Sequence, residues 1–214
     1  MNKSLLVLLI CISSCAPSRF IEPLEKGEQA VSFNIGGSLI EYGSLTIPVP
    51  LSSLTYAHGL TDKLTVFGSL HTTSLLFNNL QTEVGALSLI RKQDRWIPAF
   101  SSSIALNFIT ELSHGNAKLW PQIDGNAYWH LKTNKHRLHL GYSIWLDTQM
   151  LDENQLAVIN PHFGYSYRMK TYDFGAELKL LAPGVDNSKV FLPYQSIMGN
   201  KGATGIYLTF TKRF

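Results

Sequence analysis

Cysteine is nearly absent from this 214-residue chain: Cys11 and Cys15 are the only two, and both lie close to the N-terminus. Charge is sparse as well, since Asp, Glu, Lys and Arg make up 15% of the residues and the net charge is only +3. With no basic run anywhere, this balance is too weak for a nucleic-acid partner. Almost no segment of useful length repeats its apolar residues at the helical period. No apolar run approaches the about 20 residues that a membrane-spanning helix needs.

What is present begins with residues 1–14. A cationic start at Lys3, an apolar core from Leu5 to Ile12 and the small residues Ser13 and Ser14 form the three parts of an export signal. A core of about eight residues is too short to span a bilayer, so the segment reads as removed. The sequence Ile12-Ser13-Ser14-Cys15 resembles the lipobox of bacterial lipoproteins: an aliphatic residue, two small ones, then cysteine. The resemblance implies that Cys15 becomes the first mature residue. It would carry acyl chains on its thiol and amine, and the lipoprotein processing and sorting machinery would handle the chain. Each buried methylene contributes about 0.8 kcal/mol, so several acyl chains anchor durably. Ala16 stands where a retaining aspartate would hold such a lipoprotein in the inner membrane, which implies outer-membrane sorting. An ordinary signal peptide with a chance cysteine, cut nearby, is the alternative. On the lipobox reading Cys11 leaves with the signal and Cys15 is acylated, so no thiol remains for a disulfide, a zinc site or a nucleophile. Loss of Lys3 lowers the net charge from +3 by one.

Residues 15–29 then read as a lipidated N-terminal tether, with prolines, mixed charge and no period in "APSRFIEPLEKGEQ". From 30 to 214 the pattern is alternation. In "RLHLGYSIWLD", Leu138, Leu140, Tyr142, Ile144 and Leu146 share one face while His139, Gly141, Ser143, Trp145 and Asp147 share the other. A period of two is the mark of a strand between two different environments. Similar segments predict about ten strands, within a range of about eight to twelve. They fall near residues 30–40, 51–59, 64–76, 82–91, 97–110, 118–131, 137–148, 157–168, 173–181 and 204–214. Joins alternate between short ("LTDK", "KQDRW", "KTNKH", "MKTY") and long, the longest being "APGVDNSKVFLPYQSIMGNKGA". Many of the strands reach the about 9 to 11 residues that a tilted membrane-spanning strand needs. Trp96, Trp120, Trp129, Tyr165 and Tyr167 fall near strand ends, where interfacial girdles would sit. The expected fold is all-β, an antiparallel up-and-down transmembrane β-barrel with both termini on the short-turn side.

The end "GIYLTFTKRF", with Ile206, Leu208 and Phe210 alternating and Phe214 closing, resembles the C-terminal signal of bacterial outer-membrane barrels. Lys212 departs from that pattern, which often has an apolar residue there. "HGLTDKLTVFGSL", residues 58–70, is similar to the periplasmic hairpins of small outer-membrane barrels, with Gly59 and Asp62 supplying turn geometry. These resemblances imply a location in the outer membrane with periplasmic termini. They also imply outer-membrane lipids and the barrel assembly machinery as partners.

If the apolar faces meet lipid, parity sends Asp124, His130, His139, His162, Arg168 and Glu177 into the lumen. A barrel of about ten strands is narrow enough for side chains to fill, so these read as a polar plug. The expected role is accordingly structural, an interaction role or a narrow passage. A surface hydrolase of the lipid A deacylase or protease type is the alternative, with Ser113, His114 and Asp147 as its hydroxyl, imidazole and carboxylate. A soluble, lipid-anchored barrel binding an apolar ligand is a second alternative, because an inverted barrel alternates identically. His130, His136 and His139 flank one short turn, a spacing that suggests a metal, but hydrogen-bonded imidazoles fit equally well. No metal and no cofactor is assigned.

Overall fold

The computed structural model describes residues 19–131, 134–146, 157–188 and 192–214. Its strands are β1 (Gln29–Tyr42), β2 (Leu45–Pro48), β3 (Leu51–Thr61), β4 (Leu64–Leu70), β5 (Asn79–Arg91) and β6 (Ala99–Glu111). They continue with β7 (Ala117–Leu131), β8 (His136–Trp145), β9 (Val158–Arg168), β10 (Tyr172–Asp186) and β11 (Lys201–Arg213). One short helix, α1 (Thr72–Leu76), follows β4. Each strand pairs antiparallel with its neighbour in sequence, apart from β2, and β11 pairs back onto β1 to close the sheet. β2 pairs only with the last residues of β1, from Leu39↔Pro48 to Tyr42↔Leu45, and extends one hairpin beyond the wall. Ten strands therefore form a closed antiparallel barrel. The seam runs from Ala30↔Arg213 to Ser38↔Gly205, and there Thr211 Oγ1 donates to Ser32 Oγ at 2.9 Å.

Alternation decides which way every side chain points. On β6, Ser101, Ser103 and Asn107 are buried while Phe100, Ile104 and Leu106 are exposed, Ile104 by 64%. The same holds around the wall: Phe33, Ile35, Leu54, Val84, Leu140, Phe163, Leu178 and Leu208 all lie outside. Ile206, Leu208 and Phe210 face outward on the last strand, where Phe210 stacks on Tyr172 with ring centroids 5.5 Å apart. Phe214 closes the seam at the short-turn end, its N–H donating to Gln29 O at 2.9 Å.

Three local features differ from the sequence reading. The strand expected over 64–76 stops at Leu70, and the chain turns into α1. Hydroxyls explain the break: Thr72 and Thr73 meet Ser52 at 2.8 Å each, and Ser74 Oγ donates to Gln81 Oε1 at 2.9 Å. Those are partners that a continuing ladder would not supply. The long join expected after residue 181 is partly strand, because β10 resumes to Asp186 after a register shift beyond Leu181. Ala182 adopts a positive φ of 45° at that shift, and its N–H is taken by Asn160 Oδ1 at 2.8 Å. Trp120, expected in an interfacial girdle, instead faces the lumen and is buried, because it shares the parity of Gln122 and Asp124.

The larger difference concerns the segment read as a tether. Its described part, residues 19–28, lies across the short-turn mouth of the barrel rather than outside it. Leu24 packs on Ala30, Ala57, Phe67, Leu87 and Ala105, and Ile21 packs on Ala99 and Tyr128. Backbone bonds fix the path: Leu24 N–H donates to Thr65 Oγ1 at 2.8 Å, Ser101 Oγ donates to Ile21 O at 2.5 Å, and Gly27 N–H donates to Gly59 O at 2.8 Å. Gly59 permits this close approach, since a Cβ there would collide with the backbone of Leu24 and Glu25. At the other end Trp145, Leu181 and Ala203 pack together inside the wall, so apolar layers bracket a polar middle.

The seam register has a direct check. In a Cys11→Ser, Cys15→Ser background refolded in detergent, Ser32→Cys with Thr211→Cys should cross-link under mild oxidation. Opposed residues of an antiparallel pair meet disulfide distances, about 4.4 to 6.8 Å between Cα atoms. Ser32→Cys with Leu208→Cys, on opposite faces, should remain reduced on a non-reducing gel.

Candidate functional site

The lumen holds the chemistry-bearing residues of the described chain, and it sorts into three charged groups. The first centres on Arg19. Its guanidinium ion-pairs with Glu83 from β5, donates Nη1–H to both oxygens of Asp124 from β7 at 3.1 and 2.8 Å, and donates Nη2–H to Gln122 Oε1 at 2.9 Å. Ser103 Oγ donates to Asp124 Oδ2 at 2.8 Å, so that carboxylate is nearly saturated. Burial opposes the charge on Arg19, yet Asp124 and Glu83 more than offset it and hold the guanidinium protonated even more firmly than usual.

The second group gathers around Glu22. His130 Nε2 lies 2.7 Å from Glu22 Oε2, Arg137 Nη1 lies 3.3 Å from the same oxygen, and Arg168 pairs with Oε1. Burial alone would raise this carboxyl, but Arg137, His130 and Arg168 hold it well below the ordinary carboxylate range. Arg168 also approaches Asp173 at 3.6 Å, and Arg213 bridges Asp173 to Glu28 near the seam. The third group joins β8, β9 and β10. His139 Nε2 lies 3.0 Å from Glu177 Oε2, Glu177 Oε1 lies 3.0 Å from Lys179 Nζ, and His162 Nε2 meets Asn126 Oδ1 at 2.8 Å. Between these groups a cavity of about 50 Å³ is lined in part by Arg19, Glu22, Arg137, His139, Glu177 and Arg213. That is room for a few waters and no larger solute.

The inward residues named from parity, Asp124, His130, His139, His162, Arg168 and Glu177, all lie in these groups. The histidines grouped by their shared turn do not come together. His130 bonds to Glu22, His139 bonds to Glu177, and His136 lies outside the wall with Nδ1 2.6 Å from Tyr165 OH. Of the residues named for the hydrolase alternative, Ser113 and His114 both turn to Glu111. His114 Nδ1 lies 2.7 Å from Glu111 Oε1, and Ser113 Oγ donates to that same oxygen at 3.3 Å while accepting from Asn78 Nδ2 at 2.6 Å. The hydroxyl is thus bound to a carboxylate and an amide rather than to the imidazole that would activate it. Asp147 lies outside the described residues, as does Cys15.

Arg19, Glu22, Glu83, Asp173 and Arg213 were not singled out from the sequence. A signal existed for Glu83, which shares the parity of Gln81 in a strand whose other charge is the terminal Arg91. The apolar Phe20, Ile21 and Leu24 marked residues 19–28 as a segment that needs something to pack against.

No protein-family model and no curated protein matches the chain. Among solved structures, an outer membrane channel from Pseudomonas putida F1 is 9% identical, with 94% of this chain and 100% of that one covered at a TM-score of 0.46. The NanC porin is 10% identical at a TM-score of 0.45, covering 86% of this chain and 98% of its own. The outer membrane protein OprG from Pseudomonas aeruginosa is 13% identical at a TM-score of 0.33, covering 91% and 99%. Likeness at this level carries nothing about activity.

Removing Arg19 would strand Glu83 and Asp124 in the lumen. Breaking one side of a buried ion pair costs about 3 to 5 kcal/mol, so Arg19→Ala should lower the urea-unfolding free energy by about that much. Asp124→Asn added to Arg19→Ala should recover part of the loss, and a double-mutant cycle on the two positions reads the coupling.

Proposed function

We propose that this protein is a bacterial outer-membrane β-barrel, anchored at Cys15 by acyl chains, whose lumen is closed and whose role is structural or interactive. The observation that carries the reading is the direction of the alternation: apolar side chains line the outside of the wall and polar ones the inside. Only a hydrocarbon surround rewards that arrangement around a whole barrel. A soluble lipid-anchored barrel binding an apolar ligand would need the reverse, an apolar lumen, and the lumen here carries Arg19, Asp124 and Glu177. An enzyme of the hydrolase type lacks support from Ser113 and His114 for the reason given above.

Further support comes from the short-turn rim, where Trp96 is 91% exposed and Trp129 Nε1–H donates to Trp96 O at 3.0 Å. Amphipathic rings at one level of the wall suit a membrane–water interface. With the short turns periplasmic, the start of β1 and the end of β11 lie on the periplasmic side. Arg19 is four residue steps from Cys15, a reach of at most about 14 Å. Lipid anchor and mouth-closing segment would then act together, the acyl chains holding the N-terminus near the inner leaflet while residues 19–28 shut the lumen. Outer-membrane lipids, the barrel assembly machinery and the lipoprotein machinery are the partners this reading requires.

Planar-bilayer recording tests the closed lumen. The full mature protein should show no steady ion conductance, whereas deletion of residues 19–26 should give resolved open steps. Wild-type conductance equal to that of the deletion would refute a closed barrel.

A further inference from the structure

Strands β8 and β9 carry the same three-residue pattern, His139-Leu140-Gly141 and His162-Phe163-Gly164. Their antiparallel register sets His139 opposite Gly164 and Gly141 opposite His162. Each imidazole consequently lies over the glycine of the other strand. A Cβ at Gly164 would stand 2.5 Å from His139 Nε2, and a Cβ at Gly141 would stand 2.8 Å from His162 Nε2. Any side chain larger than glycine would displace these rings, so the two glycines clear space for two imidazoles. The ring centroids are 5.9 Å apart with the planes at 61°.

The flanking strands complete the group. Glu177 on β10 stands opposite Gly164, and Asn126 on β7 stands opposite Gly141. Both hydrogen bonds to the rings use Nε2, which leaves Nδ1 of His139 and Nδ1 of His162 buried without a hydrogen-bond partner. A buried polar atom left unpaired costs about 1 to 3 kcal/mol, and this group holds two. One ligand atom each from His139, His162 and Glu177 lie within 4.8 Å of one another.

We propose that His139, His162 and Glu177 form a buried binding site for a divalent transition-metal ion of the zinc class. Two imidazole nitrogens and one carboxylate oxygen are the donors such ions take, at bonds of about 2.0 to 2.2 Å. Calcium, which takes about six to eight oxygen ligands, is poorly served by this set. Side-chain rotations that close the ligand atoms by about an ångström bring them to tetrahedral spacing. Glu177 divides its work: Oε2 faces the histidines, while Oε1 is held by Lys179, which orients the carboxylate. The like charge of Lys179 weakens the site. The Arg19 group partly offsets this, because there one cation faces the two carboxylates Glu83 and Asp124, and Asp124 lies two residues from Asn126 on the same face.

Cobalt(II) is a convenient probe, because a tetrahedral nitrogen–oxygen site gives it a strong visible absorption that its hexaaqua ion lacks. The untagged full chain is unfolded in urea with chelator, freed of chelator and refolded in detergent with Co²⁺, so the ion need not pass the closed mouth. One equivalent per chain should bind with the tetrahedral band, and Zn²⁺ should displace it. His139→Gln and His162→Gln should each weaken binding by at least about tenfold. Gly164→Ala should weaken it by displacing the His139 ring, and His136→Gln, outside the wall, should leave it unchanged. Heat-modified gel mobility reports whether each variant has folded. If a histidine variant fails to fold, Glu177→Gln, of the same shape, takes its place. Sub-stoichiometric uptake by the wild type overturns the site whatever the variants do. So does a hexaaqua-like spectrum, or unchanged affinity in a folded His139→Gln or His162→Gln variant.

Discussion

A wall that turns its apolar side chains outward leaves its polar ones nowhere to go but inward. Strand geometry makes the exchange unavoidable: placing Ile104 and Leu106 outside places Ser103 and Asn107 inside. A barrel of ten strands is too narrow to hydrate such groups freely, so each inward charge needs its partner within the lumen. The three charged groups are what that requirement produces. Glu177 is shared by His139 and Lys179, Asp173 by Arg168 and Arg213, and Asp124 by Arg19, Ser103 and Gln122.

The N-terminal segment belongs to this balance rather than being an appendage. Among the described residues, the cation paired with Glu83 and Asp124 is Arg19, and the carboxylate that joins Arg137 to His130 is Glu22. Both come from outside the wall. Buried pairs add little net stability compared with apolar packing, but stranding one member is costly. Residues 19–28 are consequently held in one position, since any other would leave wall charges unpaired. Leu24 and Ile21 add the apolar contact that ties the segment to the rim.

Much of the wall was legible in the sequence because alternation is a local signal. The ten strands, the division of each into an apolar and a polar face, and the short and long joins follow from period two and turn residues. Which face points outward does not, because an inverted barrel has the same period. What escaped was set by contacts between distant positions. Thr72, Thr73 and Ser74 leave the ladder because Ser52 and Gln81 offer their hydroxyls partners that no local pattern announces. Residues 19–28 have no period, so their place across the mouth follows from pairs more than sixty residues away, such as Arg19 with Glu83. In the lumen, parity put His139 and His162 on the inner face, but only the register of β8 against β9 sets each ring over the other's glycine.

The account stands on which face of the wall meets lipid. Single-cysteine variants Ile104→Cys and Ser103→Cys, in a Cys11→Ser, Cys15→Ser background, can carry a small fluorophore in reconstituted vesicles, with nitroxide-bearing phospholipid as quencher. The account predicts strong quenching of the label at position 104 and little at 103, with labelling at 103 slow until the barrel is unfolded. Equal quenching at the two positions, or stronger quenching at 103, would contradict it.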